Sequence, residues 1–188
     1  MMRTALGVLG VILYCGIPAG ATTYELVTFD DLVTRADVIF VGEVTDVRPY
    51  PIQTRDGTII KTRVIFRVWD PIFGTTSALE AFDFFGGEWG DVGMAIAEMP
   101  TFAIGERRVV FARRERSINP IVGFTQGLLQ IRRDTGGVDR VLTLEGAPIA
   151  SAESIGAPQT GAMRAAVPMR LSDFRDRLNR ALAEARRR

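Results

Sequence analysis

Residues 38–48 read Val-Ile-Phe-Val-Gly-Glu-Val-Thr-Asp-Val-Arg, and this stretch decides the fold class. Its β-branched and aromatic run up to Gly42, followed by spaced valines, predicts a β-strand. A second stretch, residues 58–69, alternates apolar and mostly polar positions, as expected of a strand with one face turned inward. Its inward residues are Val64, Phe66 and Val68. Together the two stretches predict a mainly β protein.

The segments that flank the first strand carry helix and turn signals. Before it, Thr28 is a predicted N-cap for a short helix that ends near Ala36, with Asp30 and Asp31 in the first turn. After it, the Pro49-Tyr50-Pro51 run predicts a break in the strand. The Asp56-Gly57 pair in the following polar loop is a turn signal.

Further strands are predicted downstream, at residues 79–85, 107–113, 128–133 and 138–144. Residues 134–137, Asp-Thr-Gly-Gly, join the last two as a hairpin. Residues 88–91, which follow Gly86-Gly87, are predicted to form a loop. The fold class expected from this series is an antiparallel OB-like barrel with a short N-terminal helix and a C-terminal helix.

The last part of the chain divides into two predicted segments. Residues 145–170 are rich in Ala, Gly, Pro and Ser and lack periodicity, which predicts a linker. Residues 171–188 are predicted to form an amphipathic helix that docks on the β domain. Its apolar face consists of Phe174, Leu178, Leu182 and Ala185.

Residues 1–21 have the order of parts found in a cleavable export signal. A positive residue, Arg3, precedes an apolar run over residues 5–17, and Ala19 and Ala21 then form a small-residue cleavage site. The run is shorter than the roughly 20 residues that span a bilayer, so no transmembrane span is expected. We therefore expect an exported protein whose β domain covers residues 22–144, with an uncleaved N-terminal anchor as the alternative.

The composition narrows the possible chemistry. The chain has no histidine, and Cys15, which falls in the predicted leader, is its one cysteine. The processed chain is therefore expected to lack disulfides, thiol nucleophiles, imidazole bases and the commonest zinc ligands. Its basic and acidic residues balance once the leader is removed, which argues against a nucleic-acid partner. No cofactor and no enzymatic activity are predicted.

Residues 29–144 also carry a resemblance to known proteins. The stretches Ala36-Asp37-Val38-Ile39-Phe40-Val41-Gly42-Glu43-Val44, Thr62-Arg63-Val64-Ile65-Phe66-Arg67-Val68, Met99-Pro100-Thr101-Phe102, Gly105-Glu106-Arg107 and Gly123-Phe124-Thr125-Gln126-Gly127 are similar to a family of exported bacterial proteins. The order of helix and strands also resembles the netrin-like barrel of tissue inhibitors of metalloproteinases. Those inhibitors place an N-terminal cysteine on the protease zinc. The processed chain is expected to lack this cysteine. The resemblance therefore implies the barrel and not the inhibitory residues.

The acidic residues Asp83, Glu88 and Asp91 flank Trp89 and several glycines. One interpretation is a carboxylate pair for glycoside hydrolysis, with Trp89 as the platform for a sugar ring. A second is a calcium site, because this cation binds several oxygen ligands in a flexible loop. The third is that these are solvated loop acids with no catalytic role.

A second candidate set combines aromatic residues with the Met99-Pro100-x-Phe102 sequence. These residues are predicted either to form a recognition loop or to shape the entry into the following strand. The aromatic residues Phe82, Phe84, Phe85, Trp89 and Phe102 are predicted to line a binding face or to fill the core.

The function expected from these observations is that of an exported, non-catalytic binding module of the cell envelope. A protease inhibitor is one specific form of this expectation. Its partner is expected to be a protein or another envelope component. The candidate binding residues are Asp83, Glu88, Trp89, Asp91, Met99, Pro100 and Phe102. A carboxylate-based hydrolase and a calcium-stabilised structural protein are the alternatives.

Overall fold

The computed structural model describes residues 26–115, 117–158 and 160–187. The predicted leader, with the cleavage residues Ala19 and Ala21, lies outside the described residues. The strands are β1 Val38–Thr54, β2 Gly57–Phe73, β3 Leu79–Phe85, β4 Gly87–Trp89, β5 Val92–Met94, β6 Arg107–Ala112, β7 Leu128–Arg133 and β8 Asp139–Leu142. The helices are α1 Phe29–Arg35, α2 Gly161–Arg164 and α3 Leu171–Ala185, with a 3-10 turn at Ala152–Ser154.

Six strands form one antiparallel sheet in the order β3-β2-β1-β6-β7-β8, and β4 and β5 form a separate hairpin. The prediction of a mainly β fold is therefore confirmed. The predicted OB-like barrel is not confirmed, because the sheet is open, with β3 and β8 at its two ends. The outer side of β8 is bridged by Pro148 and Arg170, whereas the end of β3 meets the connection after β6, where the Phe85 N–H donates to the Ile118 carbonyl. The two end strands thus have different neighbours and do not meet.

The first two strands are 17 residues each and form one long hairpin. β1 continues through Pro49 and Pro51, so the strand break predicted there is wrong. The physical reason is that β6 pairs with β1 only from Val38 to Glu43. Beyond Glu43, the edge of β1 that faced β6 is unpaired. Proline, which has no N–H to donate, is tolerated at such an edge.

Residue Gly42 allows β1 and β2 to approach closely at a point where the register shifts. A Cβ atom at this position would lie 2.8 Å from the Phe40 ring and 2.9 Å from the carbonyl oxygen of Arg67. A larger residue would therefore push the hairpin apart.

Helices α1 and α3 pack on one face of the sheet and enclose what we call the helix-side core. The predicted helix at Thr28 forms α1 with a capping box, in which Thr28 and Asp31 exchange side-chain to backbone hydrogen bonds. The predicted C-terminal helix forms α3, and its Phe174 ring contacts Phe29 of α1 and Phe111 of β6, with centroids 5.8 and 6.5 Å away. Within the described residues, no helix is long and apolar enough to cross a membrane.

The opposite face of the sheet carries a second core. Alternation along the strands sends Phe40, Phe66, Phe82 and Phe84 to this side, where the segment that contains Met99 and Phe102 packs against them. Strand β6 contributes to both cores, since Val109 and Phe111 face the helices and Val110 and Ala112 face the second core. Strand β6 thus lies in the interior of the sheet, between β1 and β7.

Residues 145–170, predicted to be a linker, contribute to the helix-side core. Ile149 and Ala152 are each 1% exposed, and Ile155 is 8% exposed. The segment is also held by backbone hydrogen bonds, because the Met169 N–H donates to Ile149 and the Val141 N–H donates to Met169. Residues 147–155 and 169–170 are thus packed against β8 and the helix-side core, whereas most of residues 160–168 are exposed.

Candidate functional site

A pocket of about 360 Å³ lies beside the end of β3. We call it the hairpin pocket, because β4 begins and β5 ends at its wall. It is lined by the end of β3, Gly86, Gly87 and residues 94–96 and 99–102, together with Val47 and Thr62. The structure therefore brings the predicted residues Met99, Pro100 and Phe102 to the same cavity.

The wall of the hairpin pocket depends on two adjacent glycines. The Gly86 N–H donates to the Ile60 carbonyl at 2.8 Å, and the Thr62 hydroxyl donates to the Gly86 carbonyl at 2.7 Å. Gly87 has a φ of +127°, and a Cβ there would lie 2.4 Å from the Thr62 hydroxyl oxygen. The chain thus crosses β2 at a distance that only glycine permits.

Aromatic rings connect the pocket to the second core. The Phe102 ring lies 4.7 Å from the Phe84 ring and 5.8 Å from the Phe66 ring, centroid to centroid. Phe84 is 2% exposed and Phe66 is fully buried, so the inner side of the pocket is fixed by packed residues. Because such a surface is preformed, it can accept an apolar group at a low cost in ordering.

Beyond the pocket wall, the β4–β5 hairpin presents two apolar side chains to solvent. Trp89 pairs with Val92 across the hairpin, and both residues are 49% exposed. Glu88 lies beside Trp89 on β4, and Asp91 occupies the turn; both are exposed. The loop predicted for residues 88–91 is therefore a β-hairpin whose turn is Gly90-Asp91.

The carboxylate of Asp83 lies apart from the other candidate residues. It accepts two hydrogen bonds from Arg63 on β2, at 2.8 Å from Nε and 3.0 Å from Nη2. The hydrogen bond from Arg63 is the main reason why the pKa of Asp83 is below its usual value, which favours the ionised form. Since Phe82 and Phe84 face the second core, the alternation of β3 turns Asp83 to the other face of the strand.

The hydrolase and calcium alternatives require acids that act together. Asp83 is engaged by Arg63, whereas Glu88 and Asp91 are exposed on a different hairpin. No group of three or more Asp, Glu, Cys or His side chains that could hold a metal ion occurs in the part of the chain that the structure describes. The geometry thus favours neither alternative.

Sequence reasoning did not identify Thr62, Met94 or Ile96, which line the hairpin pocket with Gly87. The Gly86-Gly87 pair was the available signal, since adjacent glycines mark a close approach of the backbone. The apolar residues Met94 and Ile96 do not belong to a periodic pattern in the sequence. Their position in the pocket wall depends on how the β4–β5 hairpin folds back towards the end of β3.

Trp89, Met99, Pro100 and Phe102 are thus associated with one pocket and its hairpin, whereas Asp83 is held elsewhere by Arg63. A comparison with known protein families, curated proteins and solved structures finds no match to this chain. The conclusion on function therefore rests on the hairpin pocket and its exposed rim.

Proposed function

We propose that this chain is an exported, non-catalytic binding module of the cell envelope, and that the hairpin pocket holds an apolar side chain of a partner protein. The observation that carries the proposal is the position of the exposed Trp89–Val92 pair on the hairpin that forms the pocket wall. The leader predicted for residues 1–21 supports the export part of the proposal.

A protein is the partner that this surface suits best. Exposed tryptophan beside a preformed apolar pocket is typical of the anchor positions in protein interfaces. The pocket volume of about 360 Å³ falls in the range of ligand-sized cavities, and its lining residues are mainly apolar. The flanking acids, Glu88 and Asp91, provide a polar rim of the kind that surrounds such an interface.

The residue inventory also supports a non-catalytic role. A processed chain without cysteine or histidine has few groups suited to nucleophilic or general-base catalysis near neutral pH. Among the candidate carboxylates, Asp83 is committed to Arg63.

A narrower form of the proposal is an envelope protease inhibitor. It derives from the resemblance of residues 29–144 to netrin-like inhibitors, whose barrel the open sheet does not reproduce. In this form, Trp89 and the pocket would contact the protease, because the cysteine of those inhibitors has no counterpart in the processed chain.

The two tryptophans of this chain provide a matched pair for the experiment. Trp89 and Trp69 are 49% and 48% exposed, but only Trp89 belongs to the hairpin beside the pocket. The processed protein, its Trp89→Ala variant and its Trp69→Ala variant would be used to capture proteins from envelope extracts and then tested against a panel of proteases. We expect capture by the parent and by Trp69→Ala, and a loss of at least tenfold in affinity for Trp89→Ala.

A captured protein must also bind at the predicted place. In a Trp69→Phe variant, Trp89 is the single tryptophan, so the purified partner should change its fluorescence in a saturable manner. Absence of a reproducible partner at micromolar protein would refute the binding module. Equal affinity of the parent and Trp89→Ala would refute the hairpin pocket as its site.

A further inference from the structure

Arg108 on β6 is a buried charge with too few partners. Its side chain is 5% exposed, and its Nη2 atom lies 2.8 Å from Oε2 of Glu106. A guanidinium has five N–H donors, and the buried Nε donor of Arg108 has no partner. Burial of a charged group is unfavourable unless hydrogen bonds compensate for the water that it loses.

Arg108 lines a cleft that opens where β6 and β7 separate. The pair Arg108–Gln130 is the last in the register of these strands. Beyond it, residues 105–108 and 130–132 line an open cleft of about 260 Å³. Arg107 lines the same cleft, and its Nε is the other buried side-chain nitrogen or oxygen without a partner among the described residues. Because neighbouring residues of a strand point to opposite faces of the sheet, the Nε of Arg107 lies on the face opposite to that of Arg108.

The cleft has an excess of positive charge. Arg107 is neutralised by Asp139, at 2.7 Å, and Arg108 is neutralised by Glu106. The third arginine, Arg132, donates from Nε to the side-chain oxygen of Gln130 at 2.9 Å, and this amide carries no charge. One guanidinium of the three is therefore left without an acid in the described ion pairs.

We propose that this cleft binds a small carboxylate, held between the guanidinium groups of Arg108 and Arg132. A guanidinium without an acidic partner attracts an anion, and a planar carboxylate matches the planar donor pattern of a guanidinium. A carboxylate in the cleft would give the guanidinium of Arg108 an acceptor in addition to Glu106. This site is separate from the hairpin pocket and does not depend on the proposed function.

The test is a titration of the processed, ¹⁵N-labelled protein with sodium acetate, compared with sodium chloride at the same ionic strength. The arginine Nε–H signals in nuclear magnetic resonance spectra report on the cleft directly. We expect saturable shifts of the Arg108 and Arg132 signals with acetate and no saturation with chloride. Identical, non-saturating responses to both salts would overturn the proposal.

Variants distinguish the cleft from general surface binding. Arg132→Gln should weaken acetate binding at least tenfold, and Arg108→Met should abolish it. Arg133→Gln is the matched control, because Arg133 is next in sequence but does not line the cleft, and its variant should bind as the parent does.

Glu106 is 35% exposed, so Arg108→Met leaves a carboxylate that water can solvate. If that variant nevertheless fails to fold, Arg132→Gln decides the question alone, because Arg132 is exposed. Unchanged acetate affinity in Arg132→Gln would overturn the proposal. Saturation by sulfate at the same concentration as acetate would also overturn it, since the site would then select tetrahedral anions as well.

Discussion

Arg107 on β6 and Asp139 on β8 form a bidentate salt bridge across β7. Nη1 and Nη2 of Arg107 lie 2.9 and 2.7 Å from the two carboxylate oxygens. The guanidinium of Arg107 also stacks on the ring of Trp69 at 4.7 Å. Arg133 adds a hydrogen bond to Asp139 at 3.2 Å. These contacts connect β8 to the centre of the sheet in addition to the backbone hydrogen bonds.

The first prediction concerns acid stability. The hydrogen bond from Arg107 is the largest cause that lowers the pKa of Asp139 in the folded protein. Because the folded pKa is depressed, the stabilisation is complete above the unfolded pKa of about 4 and is lost as the pH falls through the folded pKa. Asp139→Asn should therefore lower the free energy of unfolding at neutral pH by about 1–2 kcal/mol and make its decline in acid less steep.

Urea unfolding at a series of pH values measures both effects. The control is Asp46→Asn, because Asp46 pairs with Arg48, whose side chain is 73% exposed, and such pairs contribute less than about 1 kcal/mol. Parallel pH profiles for the parent and Asp139→Asn would show that the pair does not contribute to acid sensitivity.

The second prediction concerns the wall of the hairpin pocket. Gly87 and Gly57 have nearly the same φ, +127° and +129°, but only Gly87 has a neighbour close to the position of a Cβ atom. Both alanine variants suffer the same backbone strain, whereas Gly87→Ala must also displace Thr62. Gly87→Ala should thus be less stable than Gly57→Ala by about 1–3 kcal/mol. Thermal and urea unfolding test this, and equal stabilities would contradict the close crossing over β2.

The third prediction concerns residues 145–170. Ile149 is 1% exposed, and Val167 in the same segment is 72% exposed. Ile149→Ala should lower the free energy of unfolding by about 2–5 kcal/mol, because it leaves a cavity in the helix-side core. Val167→Ala should change it by less than about 0.5 kcal/mol. If both substitutions were neutral in urea unfolding, the segment would be a linker after all.

The fourth prediction concerns the docking of α3. Leu178 is fully buried against the helix-side core, whereas Arg180, two residues later, is exposed. Leu178→Ala should lower the free energy of unfolding by about 2–5 kcal/mol, and Arg180→Ala should have little effect. Hydrogen exchange should show protected amides in α3 that unfold together with the sheet, and independent opening of α3 in the parent would contradict this.

The sequence predicted those parts of the fold that depend on local patterns. Alternation identified the face of β2 that carries Val64 and Phe66, and the capping signal at Thr28 located α1. The course of β1 through Pro49 was not predictable, because it depends on where β6 stops pairing. The burial of Ile149 was not predictable either, since one apolar residue among small ones has no periodicity and finds its place through distant contacts.

The candidate site was predictable only in part. Met99, Pro100 and Phe102 line the hairpin pocket, and Met99 and Phe102 also pack against the second core, so both interpretations of this segment stay open. Asp83 was grouped with Glu88 only because they are close in sequence. Arg108 carried no signal, because arginine is mostly exposed and its burial is decided by the sheet around it.

The bridges from Pro148 and Arg170 to β8 have a consequence for solubility. An exposed edge strand offers unpaired N–H and C=O groups to other molecules, and this leads to aggregation. By occupying that edge, the returning chain shields β8 from intermolecular pairing. Cleavage within residues 145–170 that released Pro148 and Arg170 would therefore expose the edge of β8 to pairing with other chains.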